Sequence, residues 1–327
     1  MRKRAKMLNY KAILDLLGEK DRYLILIHRN PDGDAIGSAE ALRILLTHLG
    51  KEAHVLSYDP LPRYLSFLPT EQPLQRRNGQ DLPEGYTYLS VDVAEEKLLG
   101  FSPADLAGGV YLKIDHHKTG NDFATHNFTD PTAAAAGEII YHLGREAGVS
   151  TLDFFTACYT AIATDTGCFR YSNTSEETFL IASALLKEGI DTKMLNAALF
   201  ESKEPKLVRA NALGILNARF YMDGQVALLA VTNELRQREG LENSHLAELS
   251  SVLREIAGVE LSVVLKEKED LPGSYRISAR SKHFFDCTAL CGAFGGGGHA
   301  RAAGGDVQAS DAEEALSMVL EKIKEQF

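Results

Sequence analysis

His28-Arg29-Asn30-Pro31-Asp32-Gly33-Asp34 places one imidazole and two carboxylates in a turn directly after an apolar stretch, Tyr23 to Ile27. A strand over Tyr23 to Ile27 would hold its last residue rigidly, and Pro31 and Gly33 would bend the chain. Asp32 and Asp34, two apart, can then point the same way beside His28. On that reading His28 and Asp32 hold one metal ion and Asp34 is left for a second. A plainer account also fits: Asp34 precedes an amphipathic helix, Ala35 to Leu49, and aspartate is a favoured N-cap. What decides between the two is that the chain supplies similar ligands three more times.

Working outward, the first half alternates apolar strands with helices, the pattern of a parallel sheet wrapped by helices on both faces. Strands are predicted at Tyr23 to Ile27, Ala53 to Ser57, Tyr86 to Val91 and Val110 to Ile114. Helices are predicted at Ala35 to Leu49, Ala133 to Ala147, Leu152 to Thr164 and Glu176 to Leu186, from apolar residues at three and four spacing. In such folds the ligand site lies beyond the carboxyl ends of the strands. Asp92 follows one strand, Asp115-His116-His117 follow another, and Thr164-Asp165-Thr166-Gly167 end a helix. Each is unremarkable alone as a cap or turn residue, although paired histidines after a buried strand are harder to treat so. Successive side chains diverge, so one histidine would ligate metal and the other reach toward substrate, with Asp115 able to orient an imidazole.

Six candidate ligands, His28, Asp32, Asp34, Asp92, His116 and Asp165, thus follow element ends. Their oxygen-rich, sulfur-free chemistry suits two divalent ions, Mn²⁺ first, with Mg²⁺ or Co²⁺ as alternatives, better than structural zinc. A carboxylate such as Asp92 can bridge two ions, and water between them becomes a nucleophile near neutral pH, so phosphoester hydrolysis needs no protein nucleophile.

These residues also carry a resemblance. His28-x-x-x-Asp32-x-Asp34, Asp92, Asp115-His116-His117 and Thr164-Asp165-Thr166-Gly167 resemble, in order and spacing, the four motifs of the DHH phosphoesterase superfamily. The resemblance implies that His28, Asp32 and Asp92 hold one ion, that Asp34, Asp92, His116 and Asp165 hold the other, and that His117 contacts the scissile phosphate. The expected catalytic side chains besides the metal ligands are therefore His117 and Asp115.

After Leu186 the pattern changes. A DHH catalytic domain is expected over residues 1–190, a helical linker over 191–217 and a smaller mixed α/β domain over 218–327. The last contains a hairpin, Arg219 to Met222 and Val226 to Val231 around Asp223-Gly224. A helix from Ser244 to Ala257, strands Glu260 to Lys266 and Ser274 to Arg280, and a closing helix Ala312 to Glu325 follow. Four glycines, Gly295, Gly296, Gly297 and Gly298, precede His299 and Arg301, where backbone N–H groups could approach an anion while the side chains add charge. The stretch resembles the GGGH motif of the DHHA1 domain that accompanies many DHH domains. Ser278-Ala279-Arg280-Ser281 resembles that domain's Arg-Ser strand, which implies substrate contacts from Arg280, Ser281, Gly295 to Gly298, His299 and Arg301. The chain reads His-Ala-Arg-Ala-Ala-Gly where relatives commonly carry His-Lys-Asn-Ala-Ala-Gly, so the backbone contacts should survive better than side-chain ones.

Composition sets the outer limits. The chain has 327 residues, 45% of them hydrophobic, enough for two cores, and its net charge of −10 argues against coating long nucleic acid. Its four cysteines form no C-x-x-C pair and fit a reducing compartment. The basic start Arg2-Lys3-Arg4-Ala5-Lys6 is followed by Asp15, Glu19 and Asp21 where a signal peptide needs an apolar core, so a soluble, cytoplasmic monomer or homodimer without membrane contact is expected. Taken with the resemblance, this implies a Mn²⁺-dependent phosphoesterase that cuts short oligoribonucleotides and dephosphorylates 3′-phosphoadenosine 5′-phosphate. The alternatives are hydrolysis of cyclic di-AMP or a linear dinucleotide and, in another class, a catalytically silent nucleotide-binding regulator.

Overall fold

A computed structural model describes residues 10–68, 74–75, 82, 84–101, 105–106 and 108–327. The chain divides into two compact units, Met1–Ser202 and Lys203–Phe327. In the first, α1 (Tyr10–Gly18), β1 (Arg22–Leu26), α2 (Gly33–His48), β2 (Glu52–Ser57), β3 (Leu74–Gln75), β4 (Thr87–Val91), β5 (Val110–Asp115) and β6 (Ala124–Thr129) come in turn, followed by α3 (Ala136–Ala147), α4 (Leu152–Asp165), α5 (Glu176–Lys187) and α6 (Thr192–Asn196). The sheet order is β3-β2-β1-β4-β5-β6, with every pair parallel.

Alternation along the strands sorts the side chains into two cores. Tyr23, Ile25, Leu89, Val91, Leu112 and Ile114 face the helices. Leu24, Leu26, Leu56, Tyr88 and Val110 face the other way and meet Val93, Leu99, Phe101 and Leu106 from loops and a 3₁₀ turn, Glu96–Leu99. Helices on both faces were expected; among the described residues α1 to α6 all contribute to the first core, and turns seal the second. The expected amphipathic helix after the first motif is also different in kind. Helix α2 is buried on nearly every side, and even Glu40 is fully buried, paired with Arg43 at 2.6 Å. Its close neighbour is α4: a Cβ on Gly37 would lie 2.7 Å from the Ala157 carbonyl oxygen and 2.8 Å from Ala161 N, so only glycine permits this approach.

The second unit contains α7 (Pro205–Asn217), β7 (Arg219–Tyr221), β8 (Val226–Val231), α8 (Asn233–Glu239), α9 (Leu249–Glu255), β9 (Leu261–Glu267), β10 (Ser274–Ser281), α10 (Cys287–Gly292), β11 (Gly297–His299), β12 (Ala302–Gln308) and α11 (Ala312–Lys324). Its sheet, β11-β12-β10-β9-β8-β7, is antiparallel except between β8 and β9. One face packs on α10 and α11 through Val263, Ile277, Cys287, Cys291 and Val319. The opposite face is covered over β8 and β9 by α7 and α9. Residues 191–217, expected as a linker, divide: Leu195 joins the first core, whereas Ala210 joins the second unit. The expected single helix Ser244 to Ala257 is two pieces, a 3₁₀ turn Asn243–Leu246 and α9, because the buried His245 accepts the Glu242 N–H at 2.9 Å and closes a turn of its own.

Candidate metal centre

The motif residues meet at the carboxyl ends of the adjacent strands β1, β4 and β5. His28 follows β1, with Nδ1 2.9 Å from the Arg29 carbonyl oxygen, which leaves Nε2 facing Asp92 Oδ2 at 3.7 Å and Asp32 Oδ1 at 3.8 Å. Because α2 begins at Gly33, Asp32 and Asp34 do not point the same way. Asp32, not Asp34, is the N-cap, accepting from the N–H groups of Asp34 and Ala35 at 3.0 and 3.1 Å. Asp34 turns inward and is 1% exposed. A Cβ on Gly33 would lie 2.4 Å from Thr164 Oγ1, so the glycine in the first motif lets the fourth motif approach it.

Asp34 is fixed from three sides. It accepts the Ala136 and Gly137 N–H groups at 2.8 and 3.1 Å and the Ser38 hydroxyl at 2.7 Å. Helix α3 has alanine at its N-cap with no side-chain cap of its own, so the carboxylate from α2 satisfies its first donors, a favourable place for a negative charge.

Asp92 lies at the middle of the site. Its backbone has φ 58°, an uncommon conformation for a non-glycine residue, and its N–H donates to Ile114 at 3.0 Å. While Oδ2 faces His28, Oδ1 faces His116 Nε2 at 3.4 Å and His117 Nδ1 at 3.7 Å. Oδ1 is buried and accepts no hydrogen bond, a costly state for a carboxylate unless a cation completes it.

His116 Nε2 lies 3.5 Å from Asp34 Oδ2 and 3.8 Å from Asp165 Oδ2, and its Nδ1 lies 3.3 Å from the Ala133 carbonyl oxygen. His117 turns to Asp115 instead, with Nδ1 2.7 Å from Oδ1, an oxygen that also accepts the His116 and His117 N–H groups. Asp115 Oδ2 sits 3.1 Å from the ammonium of Lys113, a buried lysine that also donates to the Ala94 and Asn121 carbonyls. Asp165 ends α4, and its Oδ2 accepts from the Asn173 amide at 3.2 Å, while that amide also reaches the Ala134 carbonyl at 3.0 Å.

The charges are strongly coupled. Burial favours neutral imidazoles, yet Asp32 and Asp92 overcome it and lift His28 to about 11. His116 is likewise lifted to about 10 against its burial by Asp92, Asp34 and Asp165. Burial and then the charge of Asp92 push Asp34 well above the carboxylate range, whereas Asp92, although buried, is held at about 2 by His116 and His28. Burial outweighs the relief from His116 and, with Asp92 and Asp32, brings Asp165 to about 6. Protons on the two imidazoles thus supply the positive charge that the carboxylates demand, and a divalent cation can take their place.

The donor set fits such a cation. Three groups each bring one ligand atom within 4.8 Å of the others: His28, Asp32 and Asp92; Asp34, His116 and Asp165; and Asp92, His116 and His117. All six residues expected as ligands are therefore brought together, and carboxylates with imidazoles and no thiolate suit Mn²⁺ or Mg²⁺. Sequence reasoning missed Ser38, Ala136, Gly137 and Asn173, which hold the candidate ligands Asp34 and Asp165, and Lys113, which holds Asp115. A lysine inside the apolar run Val110 to Ile114 was the one readable signal among them.

Apart from His117, the residues expected to meet substrate lie in the second unit. Arg280 is half-buried on β10, with Nη1 donating to Ala279 at 3.0 Å. Ser281 is 1% exposed and donates its hydroxyl to the Phe285 carbonyl at 2.7 Å, so it anchors the following loop instead of facing outward. Arg301 donates to the same carbonyl at 2.6 Å. The tetraglycine is not a free row of N–H groups: Gly295 and Gly296 donate to Gly292 and Cys291, and Gly297 to His299 form β11 against β12. A Cβ on Gly296 would sit 2.0 Å from the Gly304 carbonyl oxygen, whereas one on Gly297 would meet nothing within 4 Å. The His299 side chain lies outside the described residues.

The comparisons agree with this architecture. The family described as DHH family, N-terminal domain, matches residues 22–162, and the DHHA1 domain matches 223–325. The chain is 33% identical over 308 residues to the bifunctional oligoribonuclease and PAP phosphatase NrnA of Thermus thermophilus, covering 93% of this chain and 89% of that protein. It is 28% identical to a probable enzyme of the same name from Streptococcus mutans, covering 91% and 93%. The crystal structure of an exopolyphosphatase-related protein from Bacteroides fragilis superposes with a TM-score of 0.86 at 24% identity, covering 97% and 96%, and shares the fold. With the motif residues gathered at one site and both domains matched in order, the chain belongs to the DHH family, its DHH domain followed by a DHHA1 domain.

Proposed function

We propose that this chain is a divalent-metal-dependent phosphoesterase that degrades short oligoribonucleotides and removes a phosphate from 3′-phosphoadenosine 5′-phosphate. The observation that carries the reading is the orientation of Asp92, whose Oδ2 faces His28 and whose buried Oδ1 faces His116. A carboxylate so placed suits a bridge between two ions, one with His28 and Asp32, the other with Asp34, His116 and Asp165. Mn²⁺ is the ion to test first. Such ions, when bound, supply Lewis acidity toward a phosphoryl oxygen and make water nucleophilic near neutral pH.

The protein's own groups do the remaining work. Asp115 accepts from His117 and fixes its ring; burial favours the neutral imidazole, but the hydrogen bond to Asp115 and the charge of Asp92 outweigh it and raise the pKa above the usual histidine value. Nε2–H of His117 can then meet a phosphoryl oxygen and oppose the charge that grows there. Burial opposes the charge on Asp115, but His117 first and then Lys113, 3.1 Å from Oδ2, hold its pKa below the usual carboxylate value. In the second unit Arg280, the Gly295 to Gly298 segment, His299 and Arg301 would hold the nucleotide. The likeness to proteins named oligoribonuclease and PAP phosphatase supports this substrate class over other phosphoesters.

The test is a turnover panel on protein stripped of metal and reloaded with Mn²⁺ or Mg²⁺. It compares a diribonucleotide, a pentaribonucleotide, 3′-phosphoadenosine 5′-phosphate, cyclic di-AMP and pyrophosphate. Preference for the first three supports the reading. Preference for cyclic di-AMP would transfer the site to that substrate, and absence of metal-dependent turnover on all five would leave a nucleotide-binding regulator.

A further inference from the structure

On β9 and β10 a second group of cations lies further along the face that carries Arg280, interleaved with carboxylates. An open cavity of about 480 Å³ is lined by Asn243, by the cations Lys266, Lys268 and Arg276, and by the acids Glu267, Glu269 and Asp270. Lys266 and Arg276 are direct cross-strand partners, and their alternation puts them with Arg280 on the face turned away from Ile277 and Ala279. Three of the acids nearby have partners. Glu269 pairs with the buried Arg236 at 2.7 Å, Glu267 accepts the Asn233 N–H at 2.8 Å, and Asp306 lies 3.1 Å from Lys268 and 3.6 Å from Arg276. Asp270 stands exposed in the turn.

Lys266 differs from the other cations of this cluster. It is partly buried, and among the described residues no carboxylate lies within 4.0 Å of its ammonium. Burial, and then the charges of Arg276, Arg280 and Arg236, push its pKa below the ordinary lysine range. A partly desolvated ammonium surrounded by cations is costly, and an external anion removes that cost. Arg276 and Arg280 are four residues apart on one strand, a span of about 13 Å. One phosphate cannot reach both ends of that span, but the backbone of a chain several nucleotides long can.

We propose that Lys266 and Arg276 form a distal phosphate subsite, which engages a phosphodiester of an oligoribonucleotide beyond the nucleotide held at Arg280 and so favours substrates of several residues over 3′-phosphoadenosine 5′-phosphate. The proposal rests on the substrate class proposed above. Lys266→Met keeps the stem and removes the charge, and Arg276→Gln does the same at the partner position. In the full-length Mn²⁺-loaded enzyme, kcat/KM for a pentaribonucleotide should fall about tenfold in each variant, while that for 3′-phosphoadenosine 5′-phosphate stays within about twofold.

Binding of a fluorescein-labelled pentaribonucleotide in EDTA, followed by anisotropy, gives a readout independent of turnover. The slope of log Kd against log salt should shrink by about 0.7 for each contact removed. Thermal melting of Lys266→Met should match or exceed the wild type, since a partly buried ammonium is gone. Equal losses on both substrates would mark these residues as structural and overturn the subsite. So would unchanged pentanucleotide turnover or an unchanged salt slope. If the wild type hydrolysed neither substrate, the proposed function would fail by itself, and the anisotropy comparison would still decide the subsite: no binding by the wild type, or equal binding by the variants, overturns it.

Discussion

Asp92→Asn tests the metal centre most directly, because it preserves shape and removes only the charge that faces both His28 and His116. At free Mn²⁺ of 100 times Kd, one occupied site stabilises the fold by about 2.7 kcal/mol, so two independent sites supply about 5 kcal/mol. For a unit the size of Met1–Ser202, each kcal/mol moves Tm by about 2–4 °C. The wild type should therefore gain about 10–20 °C on adding Mn²⁺ to EDTA-stripped protein. Asp165→Asn removes a ligand that belongs to one group only and should keep about half of that gain. Asp92→Asn belongs to two groups and should keep almost none.

Differential scanning fluorimetry with a Mn²⁺ titration measures all three proteins, and calorimetric titration counts the ions. The comparison does not depend on turnover, so it separates ligand geometry from catalysis. If Asp92→Asn retained half or more of the wild-type shift, Asp92 would not be shared and the binuclear reading would fail. An identical fractional loss in Asp165→Asn and Asp92→Asn would point to one ion instead of two.

His116→Ala should lose metal by elemental analysis, whereas His117→Ala should keep it and lose about 10²-fold or more in kcat; equal metal loss in both would refute the split. Gly296→Ala should cost about 1–3 kcal/mol, since its Cβ would strike the Gly304 carbonyl oxygen, while Gly297→Ala should melt like the wild type. Comparing their nucleotide Kd then shows whether β11 offers its backbone to substrate. Glu260 accepts N–H groups from His283, Phe284 and Phe285 at 2.8 to 3.0 Å, and although burial opposes it these bonds hold its pKa below the usual value. Ionised Glu260 therefore stabilises the fold above the unfolded-state pKa and loses that contribution as pH falls through the lower folded value. Glu260→Gln should cost about 1–3 kcal/mol at pH 7 in urea titrations and show a smaller further loss than the wild type on acidification. Arg280→Ala and His299→Ala should each lower kcat/KM for a dinucleotide about 10²-fold and leave a small phosphodiester reporter unchanged; equal loss on both substrates would assign them to the fold.

Much of the site was legible because strand termini and charged residues coincide in the sequence, and β1, β4 and β5 end where apolar runs meet His28, Asp92 and Asp115. The roles of Asp32 and Asp34 were not legible. Which aspartate caps α2 depends on where the first helical turn begins, and two residues of displacement turn Asp34 from an exposed cap into a buried group bound by α3. Small residues were equally silent. Ala133 to Gly137 reads as featureless helix, yet it supplies the carbonyl beside His116 and the N–H groups on Asp34. In the second unit the glycine run suggested an anion loop by composition, whereas pairing with β12 gives Gly296 and Gly298 a packing reason independent of any ligand. Helix α8, Asn233–Glu239, has no apolar period and was missed; it is fixed by its Thr232 cap and by the buried Arg236.

The proposed metal centre therefore draws on two kinds of residue with opposite demands. The ligands bring like charges together, and Asp34 and Asp165 carry the cost as raised pKa values. The small residues allow that crowding: Gly33 under Thr164, Gly37 against Ala157 and Ala161, and Gly137, whose added Cβ would lie 2.4 Å from the Ala161 side chain. Enlarging any of them would press α2 or α3 away from α4 and should move a carboxylate without altering a candidate ligand, so loss of activity alone cannot identify a ligand here. Metal affinity measured beside stability can. A ligand variant loses the Mn²⁺-dependent part of the melting temperature and keeps the metal-free part, whereas a packing variant loses the metal-free part first.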